Sequence, residues 1–150
     1  MLTCRSGGKL KIAAAVLCGL FAVLAAFPAS AMTRQETGMT GFVNEDRANH
    51  SLKPLDASST ISEIAHRHSL EMARKGRLFH SCVECILDQH GWQRIGENIG
   101  YGATLSSVNR EFMHSTYHRE NILCTCHTDV AVGVVESGGL IWVTEIFYRP

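Results

Sequence analysis

The chain has 150 residues with 14 basic and 14 acidic side chains, and its 45 % apolar content is enough for an ordinary folded core. Three basic residues and no acidic ones fall in the first 31 positions, so the remaining 119 carry 11 basic against 14 acidic residues, a net charge of −3 with neutral histidines. That balance excludes an electrostatic case for binding nucleic acid or an anionic membrane surface, and the length suits one core without a second domain.

In chain order, the first segment places Arg5, Lys9 and Lys11 ahead of an apolar run from Ile12 to Phe27, closed by Pro28-Ala29-Ser30-Ala31. This is the pattern of a cleavable secretory signal over residues 1–31, with an apolar run too short for comfortable membrane spanning. Cys18 follows the bulky Leu17, where a lipidation site wants a small residue, so no lipid anchor is expected there. The reading is a secreted or periplasmic domain over residues 32–150, monomeric, with no transmembrane segment once the signal is removed.

Met39, Phe42, Val43 and Ala48 fall at helical spacing and predict a first helix over residues 33–49, ending before the extended Leu52-Lys53-Pro54-Leu55. Thr60-Ile61-Ser62-Glu63 matches a capping box, opening a second helix with Ile61, Ile64, Ala65, His68 and Met72 on one side and Gly76 at its end. Residues 78–93 have no sustained period and read as a loop. Gly96-Glu97-Asn98-Ile99-Gly100 reads as a polar, glycine-flanked segment, and a third helix starts near Thr104 with Leu105, Val108 and Phe112 inward. Residues 118–123 read as a short turn. Residues 129–136 and 140–148, joined through Ser137-Gly138-Gly139, predict a β-hairpin. Helices first and strands last predict an α+β fold with a sheet covered by helices.

Four cysteines lie beyond the signal: Cys82, Cys85, Cys124 and Cys126. An even number in an oxidising compartment predicts disulfides in preference to a four-thiolate zinc site, for which the C-x-C spacing is tight. Of the three possible pairings, bridges joining the 82/85 segment to the 124/126 segment are expected, because very short rings strain the bond.

Eight short motifs run in order from residue 42 to residue 147: Phe42-Val43-Asn44-x-x-Arg47, Leu52-x-Pro54-Leu55, Ala65-x-x-His68-Ser69-x-x-Met72-Ala73, Leu78-Phe79-His80-Ser81, Gly96-Glu97-Asn98-Ile99, His118-Arg119-x-Asn121-Ile122-Leu123, Val132-Gly133-Val134 and Ile141-Trp142-Val143-Thr144-x-x-Phe147. In this order the chain resembles the CAP superfamily of cysteine-rich secretory proteins, antigen 5 and plant pathogenesis-related proteins (the SCP domain), in its short bacterial form. The resemblance implies an α-β-α sandwich with a central antiparallel sheet and a wide polar cleft. In the larger family the cleft is lined by two histidines and two acids that in some members hold a divalent cation such as zinc. Carried onto this sequence, the histidines are His80 and His118 and the first acid is Glu97, whereas the second acid falls at Ser115, so the full set is absent. Glu145 stands where relatives often place Gln, near the floor of the implied cleft, and is expected to face solvent at the strand's edge in preference to adding a metal-binding carboxylate.

Two imidazoles and a carboxylate are suitable zinc ligands that leave a position for water, but they come from three distant segments without the H-E-x-x-H pattern of a metalloprotease. His114, four residues before His118, shares a helix face with it if the third helix continues, and so is a further candidate ligand. His68 is expected to be a hydrogen-bonded core residue, while His50, His66, His90 and His127 have no convincing partner in sequence; Trp92, Phe112, Trp142 and Phe147 are expected in the core. No G-x-S-x-G elbow surrounds Ser115. The reading is a binding protein for a small ligand, an envelope component or another protein, with weak divalent-metal binding as its one cofactor expectation. A hydrolase using His80, Glu97 and His118 is the second reading, and a disulfide-stabilised structural or interaction scaffold is the third.

Overall fold

A computed structural model describes residues 31–150; the signal sequence expected at the N-terminus lies outside the described residues apart from Ala31. Five helices, α1 (Arg34–Asn49), α2 (Ser59–Lys75), α3 (Val83–His90), α4 (Leu105–His114) and α5 (Thr116–Leu123), accompany four strands, β1 (Asp56–Ala57), β2 (Arg94–Gly102), β3 (Asp129–Ser137) and β4 (Leu140–Arg149). The strands form one sheet in the order β1-β3-β4-β2. It is antiparallel apart from the two-residue β1, which runs parallel to β3.

The alternation of side chains along β3 and β4 divides the core into two layers. Val130, Val132, Val134, Val143 and Phe147 pack with Met39 and Val43 of α1, Val108 and Phe112 of α4 and Ile122 of α5. On the other face, Ala131, Ile146 and Tyr148 meet Ile61 and Ala65 of α2 and Ile86 of α3, while Ile99 and Trp142 meet Met72. The result is the expected α-β-α sandwich. At Gly133, α2 comes so close that a Cβ would lie 2.1 Å from the backbone of Ala65. The β3–β4 turn uses Gly138 and Gly139 at φ 62° and 76°, the left-handed conformation that glycine adopts without steric penalty.

Several local expectations are corrected. The N-cap of α2 is Ser58, whose hydroxyl accepts from the Ile61 N–H, so the Thr60-Glu63 pair lies inside the helix and is not its cap. Residues 83–90, expected to be a loop, form α3. Val83, Ile86 and Leu87 fall at i, i+3 and i+4, and Gly91 at φ 65° closes the helix. Residues 116–123 form a helix in place of the expected turn, and the segment around Glu97 and Asn98 is the strand β2. The disulfides are Cys82–Cys85 and Cys124–Cys126, not bridges between the two segments. Within each pair the Cα atoms stand 5.2 Å and 5.1 Å apart, inside the range that a disulfide spans, and the helical turn at the start of α3 itself brings Cys82 to Cys85. Both pairs are thereby oxidised, so among the described residues these four cysteines do not form a four-thiolate zinc site.

Arg47, 3 % exposed at the last turn of α1, ties distant segments together. Its Nε donates to the Lys53 carbonyl at 2.8 Å, and its Nη1 donates to Ile122 at 2.7 Å and Cys124 at 2.9 Å. No helix among the described residues is long and apolar enough to cross a membrane.

Candidate functional site

Strand β2 is one edge of the sheet, paired only with β4. Its alternation sends Glu97 and Asn98 to opposite faces, Glu97 toward the layer of Met72 and Asn98 toward that of α5. The Glu97 side chain is 1 % exposed and fully engaged. Its Oε1 accepts from His80 Nδ1 at 2.7 Å and from the Ser81 N–H at 3.0 Å, and its Oε2 accepts from the Ser81 hydroxyl at 2.5 Å. His80 is held by this carboxylate while most of its ring stays in solvent, which leaves Nε2 free. Ser81 is the member of this group that sequence reasoning quoted without giving it a role; its place beside His80 was the available signal.

His118 enters from the other layer. Its carbonyl accepts from Asn98 Nδ2 at 3.1 Å and its ring packs on Phe112, with centroids 4.9 Å apart. Burial lowers the His118 pKa, and the charge of His80 lowers it further. Replacing His80 by glutamine is therefore expected to raise the His118 pKa, read from its ring proton shifts against pH; an unchanged midpoint would place the two rings out of contact.

The three residues do not bring one ligand atom each within 4.8 Å of one another; the one cluster that does so among the described residues is Cys124, Cys126 and His127, whose sulfurs are bonded to each other. With Glu97 turned to His80 and Ser81, the remaining free donors are two imidazoles, one short of the three protein ligands of a catalytic zinc centre. In this arrangement the residues do not fit a zinc ion held by His80, Glu97 and His118 together. Nor does His114 complete the set. It is exposed at the end of α4, and the chain turns at Ser115 (φ −86°, ψ 124°) before α5 begins, so the i, i+4 relation that would align His114 with His118 is broken. Ser115 is half-buried at that junction and makes no side-chain cap bond.

On the Asn98 face of β2, next to His118, lies a polar network that the sequence did not reveal. Asn98, fully buried, donates to Glu145 Oε2 at 3.0 Å and accepts from Asn121 Nδ2 at 2.9 Å. Glu145, expected at the solvent, is fully buried instead, with Oε1 unpartnered. The reason is its register: Val143 and Phe147 flank it on the same face of β4, and α1, α4 and α5 cover that face. Burial, with a further push from Asp46 and opposition from the Asn98 bond, raises its pKa to about 8.

The other histidines behave in different ways. His68 is a core residue whose Nε2 bonds the Phe79 carbonyl at 2.7 Å, as expected. His66 does have a partner, with Nδ1 2.9 Å from the buried Glu36, and His50 Nδ1 bonds the Asp46 carbonyl at 2.8 Å. His90 stacks on the partly buried Trp92, with ring centroids 4.6 Å apart. Phe112, Trp142 and Phe147 are buried in the core.

Comparison with known proteins agrees with the fold. Residues 40–147 match the profile of the cysteine-rich secretory protein family, CAP. The chain is 32 % identical over 124 residues to the Bacillus subtilis (strain 168) protein YkwD, covering 77 % of this chain and 48 % of that protein. Among solved structures, an extracellular SCP-domain protein of Bacillus anthracis matches with a TM-score of 0.68 at 21 % identity, over 81 % of this chain and 45 % of that one. An outer surface protein of Borrelia burgdorferi matches with a TM-score of 0.68 at 14 % identity, over 79 % of this chain and 96 % of that one. The chain thus spans about half the length of the two Bacillus relatives. The profile match covers most of the chain and the sheet and helical layers agree with it: this protein belongs to the cysteine-rich secretory protein (CAP) family.

Proposed function

We propose that this is an exported binding domain that takes a polar or amphipathic ligand, in the first instance a component of the cell envelope, in the cleft along the free edge of β2. The observation that carries the reading is the His80–Glu97 pair: a buried carboxylate fixes an imidazole of which 61 % is exposed, so that a polar group is pre-oriented at the surface with its Nε2 unengaged. Holding an exposed side chain in one orientation before a partner arrives removes part of the entropy that binding must otherwise overcome. The extracellular and outer-surface descriptions of two structural relatives support an extracytoplasmic address, as does the N-terminal sequence pattern.

The same pair favours one second reading, a hydrolase. A carboxylate on Nδ1 sets the tautomer and leaves Nε2 to take a proton from water. Among the described residues no serine is free beside this pair, since the Ser81 hydroxyl donates to Glu97 and Ser115 belongs to the α4–α5 junction, so water would be the attacking group. Cosedimentation with insoluble purified peptidoglycan separates the readings. The wild type is expected in the pellet and His80→Ala to lose roughly tenfold in affinity, the scale of one hydrogen bond to a charged group. A wild type that stays in the supernatant, or a variant that pellets equally, overturns the binding site; release of soluble fragments by the wild type and not by His80→Ala would establish the hydrolase.

A further inference from the structure

A concavity that includes none of His80, Glu97 and His118 lies where the end of α1, the segment leading into β1, and the segment just before β3 meet the end of β4. It has a volume of about 500 Å³, within the range of small-molecule sites, and its charged lining is Arg47, Lys53 and Arg149 against a single acid, Asp56. Among the described residues, none of the three cations forms an ion pair. Arg149 donates through Nε to the Cys126 carbonyl at 2.8 Å and through Nη2 to Thr125 at 3.1 Å, so its Nη1 has no acceptor. Arg47 uses Nε and Nη1 for its three carbonyls, and its Nη2 has none. Both guanidinium groups are thus fixed by backbone carbonyls with one nitrogen each left over.

Two further features stand beside these cations. Arg94 and Arg149 stand directly opposite each other in the β2–β4 ladder, where like charges repel. His127, which also lines the pocket, is 6 % exposed and its Nδ1 is buried without a partner. Buried polar atoms are rarely left in that condition, and the guanidinium nitrogens without an acceptor are the donors that an oxyanion would complete.

We propose that this pocket binds a phosphoryl group carried on a larger polar molecule, with Arg47 Nη2, Arg149 Nη1 and the Lys53 ammonium as its donors. Planar guanidinium forks suit phosphate oxygens, Lys53 adds a mobile point charge, and the pocket leaves room for the molecule to which the phosphoryl group is attached. Binding also acts on His127. Burial first, and then Arg47, Arg149 and Arg94, lower its pKa to about 4, and a bound anion offsets the arginines and raises it.

The test is an NMR titration of the oxidised protein with inorganic phosphate and, separately, glycerol 3-phosphate, at ionic strength held constant with chloride. Saturable shifts are expected at Thr125, His127 and Thr128, tighter for glycerol 3-phosphate, with the His127 pKa raised in the saturated protein. Lys53→Gln and Arg149→Gln are each expected to weaken binding roughly tenfold. Arg149 also holds two carbonyls, so if its variant fails to fold, the exposed Lys53 decides. Shifts that do not saturate, acetate binding as well as phosphate, or affinity unchanged in Lys53→Gln would each overturn the proposal.

Discussion

Replacing Gly133 by alanine is expected to leave little folded protein. The added Cβ would lie 2.1 Å from both the Ala65 carbonyl carbon and the His66 nitrogen and 2.4 Å from the Ala65 oxygen. All three are backbone atoms of a regular helix, so no side-chain rotation relieves the overlap. Helix α2 would have to lift from β3, breaking its packing on Ala131 as well as the bond that the Val132 N–H donates to the Ser62 hydroxyl and the bond that the Ser69 hydroxyl donates to the Gly133 carbonyl. Overpacking a core costs about 1–3 kcal/mol when side chains can adjust, and a backbone collision exceeds that range, against a total stability of about 5–15 kcal/mol for a typical domain. The control is Gly41→Ala on α1, where nothing lies within 4 Å and helix propensity favours alanine by about 0.5–1 kcal/mol. Thermal melts followed by circular dichroism compare the two. A Gly133→Ala protein melting within a few degrees of the wild type would mean that α2 can separate from the sheet without loss.

Glu145 should make the domain lose stability as pH rises. Its folded pKa, about 8, lies above the ordinary value of 4.5, so the folded state holds a proton that the unfolded chain releases in between. The contribution of the protonated carboxyl is fully present below the ordinary value and is lost as pH climbs toward 8, with a limiting slope of about 1.4 kcal/mol per pH unit for one proton. Glu145→Gln keeps an acceptor for Asn98 and cannot ionise. It is expected to flatten this part of the stability profile and to melt higher than the wild type at pH 8. Urea denaturation across this pH range measures the slope, and a slope undiminished in Glu145→Gln would assign the proton to another group.

What could be read from the sequence was what repeats along it. The second helix and the final hairpin declare themselves through apolar spacing and through Gly76, Gly138 and Gly139, and the ordered motifs carry the family and its sandwich. Strand β2 was not legible, because its glycines weaken the strand signal for a reason that lies elsewhere in the chain: a Cβ on Gly100 would come within 2.7 Å of the Phe112 ring. The helices α3 and α5 have eight residues each, too short for a period to stand out. At the candidate site, the motifs pointed to His80 and Glu97 but not to the division of the site between two faces of β2, which follows from alternation once the strand is known. Glu145 could have been placed inside by noting that it shares a face with Val143 and Phe147. The pairing of His66 with Glu36 spans 30 residues and left no local mark.

The strand order β1-β3-β4-β2 has a consequence for how the chain acquires its shape. Both outer strands precede the hairpin that separates them, so β1 and β2 have no neighbour to pair with until residues 129–149 are present. The helices can form as they are made, but the surface against which they pack does not exist before the last strand. Closing the sheet then requires β2 to find β4 across α4, α5 and β3, and β1 to find β3 across most of the domain, the kind of non-local pairing that slows folding. Synthesis from the N-terminus therefore produces a chain whose sheet stays open, and whose helices stay uncovered on their apolar sides, until residues 129–149 have been made.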